Sequence, residues 1–371
     1  VARWSWSVGP WKAGVSALAD LAGRGGAPEA ELTEATSRSL KLKLLDPHEA
    51  SFNTSGYSAE ALRLEDLITD LWVYRDGTNL FRGRVANIGD QLDIAAYDLT
   101  VACRDYREVL LRRLLQADRT WTSVEQSTIA WNLIQDTQAL DGGNLGIVQG
   151  AWPTTGVVRP SVTFTAGDTV WESIKKLGQM ANGFDFDIDA DLQANLYYPQ
   201  RGSDVGAVLD YGGIVTQMTR AWDPAQFANA IRQSGADGVT PVITSVPGLA
   251  AAPEGRWEAQ YSDTQLTTAD MVAQTAATNL ARASMPVPTY TVTLAPDAWG
   301  GPSHFWLGDY VTFAVKAGRL NEVVKVRVFE IDVSLDDNDV ETVNVVIGDV
   351  ALDARSVLRG IARRLNVLAK R

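Results

Sequence analysis

Histidine and cysteine, the side chains most often recruited for metal binding and nucleophilic catalysis, occur only as His48, His304 and Cys103 in this 371-residue chain. Neither histidine has a second histidine or a cysteine at ligand spacing, so a zinc centre or a thiol–histidine hydrolase has no local nucleus. Cys103 lies in an apolar, strand-like run, where an inert buried thiol is the expected state. The carboxylates carry more pattern. Asp185, Asp187, Asp189 and Asp191 alternate as in a calcium loop, but Ala190 stands at position six, where such a loop needs Gly, and Leu196 at position twelve, where it needs Glu. They are read as a polar strand face leading into a turn. Asp336-Asp337-Asn338-Asp339 could hold a hard cation, although hairpin tips select Asp and Asn for local backbone bonding in any case. A carboxylate pair suited to glycoside cleavage cannot be picked out by spacing in a chain with 45 acidic residues. No catalytic, cofactor or metal site is expected, and the chain is expected not to be an enzyme.

Apolar residues make up 46% and charged residues 21% of the chain, a globular composition, and a prior of ~150 residues per domain suggests two or three domains. No run approaches the ~18 unbroken apolar residues of a membrane span, so no stable membrane association is expected. The Trp/Ser alternation at the N-terminus lacks the continuous apolar core of a secretory signal. A single cysteine leaves packing and neighbouring subunits to supply stability, and fits a reducing place of synthesis. The net charge of -12 argues against a duplex-binding surface, which needs clustered Lys and Arg. The C-terminal stretch differs in kind. Residues 354–371 hold six basic residues and no acidic one, with Leu358, Ile361, Leu365 and Leu368 spaced three, four and three apart. That spacing is an a/d seam on an amphipathic helix. It serves equally a helix packed on its own domain, or self-association on a threefold axis or docking to a partner.

The first third reads as strands. Leu40, Leu42 and Leu44 alternate with Lys41 and Lys43 at the two-residue period of a half-buried sheet. Asp70–Arg75 and Leu80–Val85 flank Asp76-Gly77-Thr78-Asn79, a hairpin turn. A further strand runs to about Cys103, and Asp105 with Glu108 caps a helix through Leu110, Leu111 and Leu114. The middle third takes a helical period. Ser123 with Gln126 is expected to cap a helix whose Ala130, Leu133, Ile134 and Thr137 share a face, ending at Asp141-Gly142-Gly143. Thr169 with Glu172 caps a second, with Val170, Ile174 and Leu177 inward and Asn182-Gly183 as its stop. Strands at Phe184–Ile188 and Asn195–Tyr198 complete this unit, which ends near Tyr211-Gly212-Gly213. Residues 235–253 read as an exposed loop. A helix at 268–283 follows, then strands: Tyr290, Val292 and Leu294 alternate with threonines. The inward set Val326, Val328 shifts phase to Ile331, Val333, Leu335, as a bulge near Phe329-Glu330 would produce. Val343, Val345 and Ile347 return across the Asp336–Asp339 turn.

Several stretches together resemble a known family. These are Asp46-Pro47-His48-Glu49-Ala50-Ser51-Phe52, Thr69 to Gly77 continuing to Leu80-Phe81-Arg82-Gly83-Arg84-Val85, and Arg104-Asp105-Tyr106-Arg107 with Leu110. Tyr290 to Leu294, Pro296 to Asp309 and Gly318-Arg319-Leu320-Asn321 extend the likeness. The chain resembles the minor tail, or baseplate-hub, proteins of long non-contractile-tailed phages infecting actinobacteria, themselves similar to contractile-phage hubs and type VI secretion spike proteins. The resemblance implies an α+β, β-rich fold with two hub-type β-barrel domains, an α/β insertion and a C-terminal helix. The expected boundaries are 1–118, 119–213, 214–350 and 351–371. It further implies a structural hub subunit of the virion tail tip, assembled in the host cytoplasm as a homotrimeric ring. Its partners would be the distal tail protein, the tape-measure protein and downstream tip or fibre proteins, with DNA passing without specific binding.

Two features keep a glycan-binding alternative open. Gly167-Asp168-Thr169-Val170-Trp171 with Ile174 and Gly178 looks like the opening of a LysM peptidoglycan-binding module, although the second helix such a module needs is replaced by the strand at Phe184–Ile188. Among 12 tryptophans, Trp152, Trp222, Trp299 and Trp306 sit near turns, where they could present a sugar-binding surface or anchor protein interfaces. A host cell-wall glycan binder is the alternative to the hub.

Overall fold

A computed structural model describes residues 2–10, 27–180, 182–221, 227–263, 266, 268–284 and 288–348. The fold is α+β and β-rich, dominated by a long sheet that curls into a half-barrel. The N-terminal strands are β1 (Trp4–Pro10), β2 (Ala30–Glu31), β3 (Thr36–Lys43), β4 (Glu49–Ser55), β5 (Thr69–Arg75), β6 (Thr78–Leu92) and β7 (Tyr97–Asp105). A short helix, α1 (Tyr106–Leu111), closes them. Next come β8 (Arg119–Glu125), α2 (Gln126–Gln138), β9 (Val148–Gln149), β10 (Val158–Phe164), α3 (Val170–Gln179), β11 (Asp185–Ile188) and β12 (Gln193–Tyr197). The chain then forms β13 (Asp204–Asp210), β14 (Val215–Ala221), β15 (Ala230–Ser234), β16 (Val242–Ser245), β17 (Glu258–Ser262) and α4 (Ala269–Ala283). It ends with β18 (Thr289–Leu294), β19 (Tyr310–Ala317), β20 (Leu320–Leu335) and β21 (Glu341–Gly348).

Two compact units result, one from residues 1–218 and 291–346, the other from 219–290. In the first, thirteen described strands form one sheet in the order β14-β18-β21-β20-β3-β4-β7-β6-β5-β1-β2, with β13 and β19 branching from β20. N- and C-terminal strands are hydrogen-bonded into this sheet through β20 and β3, with Ile331 opposite Leu42 and Val333 opposite Leu40. The alternation in β3 is as the period requires: Leu40, Leu42 and Leu44 are buried, and each is worth ~1.5–3 kcal/mol of burial. Between β7 and β13, α2 and α3 pack with β8–β12 around Ile129, Leu133, Phe164, Ile174, Leu177 and Leu196. In the second unit, α4 covers a small sheet ordered β16-β15-β17, and Ile231, Ala276 and Leu280 form its core.

Local signals placed most elements, with some corrections. The β5–β6 turn is shorter than expected: Arg75 pairs with Thr78, so Asp76 and Gly77 alone reverse the chain, both at positive φ. The α2 cap is Glu125, not Ser123. The Glu125 carboxylate accepts from Ser127 N–H at 2.8 Å and Thr128 N–H at 3.1 Å, while Ser123 belongs to β8. A carboxylate reaching two orphan amides at a positive helix end outcompetes a more distant hydroxyl. Leu114 is not on the α1 face; the helix stops at Leu111 and Leu114 is exposed in a bridge to Thr169. The phase change in β20 falls where the strand leaves β19, paired through Arg327, for β3, paired from Glu330. Within 235–253, expected as loop only, residues 242–245 form the edge strand β16. Residues 204–210, expected only to lie within the α/β insertion, form β13 and pair in parallel with β19 in the long sheet. Residues 214–350, expected as a second β domain, are shared between the long sheet and the β15–β17 sheet.

Candidate functional site

The densest cluster of ionisable groups lies where the β3–β4 loop, β7, α1, β11 and β20 come together. Asp105 ends β7 and caps α1, its Oδ1 accepting from Arg107 N–H at 3.0 Å. Its Oδ2 accepts from His48 N–H at 2.9 Å and from Arg107 Nε at 2.7 Å. Arg107 is fully buried. It also donates to the Lys43 carbonyl at 3.2 Å, lies 3.4 Å from Asp187 Oδ1, and sets its guanidinium 5.8 Å from the Trp171 ring centre. Asp187 on β11 pairs in turn with Arg201, whose N–H donates to Asp185 Oδ2 at 2.7 Å. Asp185 pairs with Arg327 of β20, and Arg327 donates to the carbonyls of Gly308 at 3.1 Å and Arg201 at 2.8 Å. Three carboxylates therefore alternate with three guanidinium groups in a chain that ties the α/β insertion to both N-terminal and C-terminal strands of the long sheet.

Burial would raise the Asp187 carboxyl, but Arg201 and Arg107 on either side hold it well below the usual carboxylate range. Burial outweighs Arg107 at Asp105, whose carboxyl is pushed up. His48 is held neutral by burial and by the Arg107 cation, and its Nδ1 accepts from Lys43 N–H at 2.9 Å. A His–Asp pair of this kind could serve a nucleophile only if a substrate reached it. His48, Asp105, Arg107 and Asp187 are all buried, so the cluster joins elements.

A second buried cluster joins β5 to β21. Arg75 donates to Glu341 through Nε at 3.1 Å and Nη2 at 2.9 Å, and to the Trp299 carbonyl at 2.7 Å. Trp4 Nε1 donates to the same carboxylate at 3.1 Å, and Trp299 stacks on Trp306. The solvated face of the sheet is also paired. Lys41 lies 3.2 Å from Glu330 and 3.7 Å from Asp332, Glu49 pairs with Lys43, and Arg104 lies 3.0 Å from Glu49. Ser39, Ser51, Asn53 and Thr100 continue that face.

Of the residues singled out in the sequence as candidate ligands or catalysts, His48, Asp185 and Asp187 meet in the buried junction, and the others lie apart from it. His304 packs on Phe305. Cys103 is buried, its thiol pushed far up by burial and then by Asp70, as an inert thiol should be. Asp189 shapes a turn by accepting from Asp191 N–H and Gln193 N–H, both at 2.9 Å, and Asp336 does the same for Asn338 and Val340. Trp171 of the LysM-like stretch is buried under the Thr169 cap. Trp299 is a core residue, and Trp152 is half-buried with Nε1 on the Ser127 carbonyl, so neither forms a sugar platform. Trp222 and the seam Leu358, Ile361, Leu365 and Leu368 lie outside the described residues. Sequence reasoning missed Arg75, Arg107, Arg201 and Arg327. Arg327 left no signal, since a cation between Val326 and Val328 is what a strand with one solvated face would carry.

No protein-family model matches the chain, and no curated protein sequence matches it. Solved structures do share the fold across its length. The tail protein from Neisseria meningitidis MC58 superposes with a TM-score of 0.66 at 13% identity, covering 93% of this chain and 96% of that one. Prophage tail protein gp18 from Listeria monocytogenes EGD-e superposes at 0.60 and 12% identity, covering 98% and 99%. A component of the Escherichia coli type VI secretion system, itself described as similar to T4 tail proteins gp27 and gp5, reaches 0.50 at 12% identity, covering 86% and 74%. The fold is thus shared with phage tail proteins and with a type VI secretion component.

Proposed function

We propose that the chain is a structural, non-enzymatic subunit of a phage tail: a tail-tip hub that closes as a homotrimeric ring. The observation that carries this reading is the likeness to tail proteins along nearly the whole chain. In this reading the ring joins the distal tail protein to tip or fibre proteins in the virion and lets the tape-measure protein and DNA leave. Two β-rich halves fused in one sheet suit such a ring, since three copies then offer six contacts to a hexameric tube. The paired charges of the β20-β3-β4-β7 face would let a polyanion pass without holding it. The host group and the non-contractile tail type belong to this proposal too, as does the seam formed by Leu358, Ile361, Leu365 and Leu368.

Light scattering of the purified chain, beside a truncation after Leu352, tests the reading. A trimer lost on truncation supports both ring and seam. A monomer that binds cell-wall glycan tightly would replace the hub by the glycan-binding alternative, which half-exposed Trp257 beside Phe227 favours.

A further inference from the structure

β6 is longer than its neighbour. Its pairing with β5 ends at Arg84 opposite Asp70, whereas its pairing with β7 continues to Leu92 opposite Tyr97. Residues 87–92 therefore have a strand partner on one side only among the described residues. Free edges invite another chain and are ordinarily blunted. Here the tip is apolar instead. Leu92 is 69% and Ile94 fully exposed, and Tyr57, 74% exposed, rests edge-on against Tyr97 of the same arm. The arm is also acidic, with Asp90, Asp93 and Asp98 and no cation between Val85 and Thr100.

The same compact unit carries a second overhanging hairpin of opposite sign. β13 covers β19 only as far as Ala314, and the tip beyond it, residues 315–322, holds exposed Lys316 and Arg319 against a single, half-buried carboxylate, Glu322. Val323, 73% exposed, adds an apolar surface beside that tip. We infer that the acidic β6–β7 arm of one copy docks on the basic β19–β20 hairpin of the next copy of this chain. Leu92 and Ile94 supply apolar contact, and Asp98 faces Arg319 or Lys316. Such a contact is head-to-tail, and its repetition closes a ring when the rotation between copies is a whole fraction of a turn, as the hub reading requires. The assignment rests on the hub reading and names its subunit surface.

Analytical ultracentrifugation of the full-length chain over a concentration series tests it. The variants are Leu92→Asp with Ile94→Asp, Asp98→Arg, Arg319→Asp, and the exchange Asp98→Arg with Arg319→Asp. These side chains are exposed, so folding, checked by circular dichroism, should persist. Each disrupting variant should weaken self-association by about tenfold or more, the exchange should recover most of it, and added salt should weaken the wild type. Wild-type assembly with all variants associating equally tightly would overturn the arm assignment and leave the ring intact. A wild-type chain that stays monomeric throughout would remove ring and arm together.

Discussion

Replacing Arg107 by Met should expose how much the buried ionic junction contributes. The substitution keeps length and apolar volume but removes the two bonds to Asp105, the approach to Asp187 and the bond to the Lys43 carbonyl. Asp187 retains Arg201, so Asp105 becomes the orphan. Breaking a buried pair from one side costs ~3–5 kcal/mol, a large share of the ~5–15 kcal/mol typical of a folded protein. The cost has a pH signature. An orphaned Asp105, already raised by burial, takes up a proton in the folded variant more readily than in the unfolded chain. The variant's stability therefore falls as pH rises above the unfolded carboxylate pKa of ~3.9, and its deficit is larger at pH 8 than at pH 5. Urea unfolding at both pH values measures this as a lower midpoint at unchanged slope. The double variant Arg107→Met with Asp105→Asn should lose less than the sum of the two singles, because no charge is stranded. A loss below ~1 kcal/mol that is the same at both pH values would refute the reasoning.

His48, held below its unfolded pKa, binds fewer protons folded than unfolded, so stability is full above pH ~6.5 and falls by up to ~1.4 kcal/mol per pH unit below it. Replacing His48 by Gln should flatten that slope in urea titrations between pH 5 and 7. Gly202→Ala should be far more damaging than Gly77→Ala in thermal melts. Both have positive φ, but a Cβ at Gly202 would lie 2.1 Å from the Gly308 carbonyl oxygen, while Gly77 has open space around it. Cys103 should resist a thiol reagent in native buffer and react at the rate of local or global opening; prompt native labelling would contradict its burial.

Much of the fold was legible because its determinants are local. The Leu40, Leu42, Leu44 alternation needs only a period of two, Asp76-Gly77 needs only tolerance of positive φ, and Thr169 finds its Glu172 amide three residues away. The cap of α2 falls on Glu125 because a hydroxyl and a carboxylate two residues apart compete for the same helix end and geometry favours the carboxylate. The junction was not legible. Arg107 and Asp187 are 80 residues apart, and Arg327 and Asp185 142 apart, and in a chain with 33 basic and 45 acidic residues no spacing rule selects those pairs.

The sequence by itself determined the elements with a strong local period, such as β3, α2, α3 and β18, and the faces they bury, since these follow from short-range sterics and the period of apolar residues. Only the tertiary structure decided that the N- and C-terminal strands share one sheet through β3 and β20, and that β6 overreaches β5. It alone decided that six separate charges meet out of water. Strand partners and buried ion pairs are chosen by what the whole chain brings within reach, and desolvation makes those few contacts count far more than the many exposed charges around them.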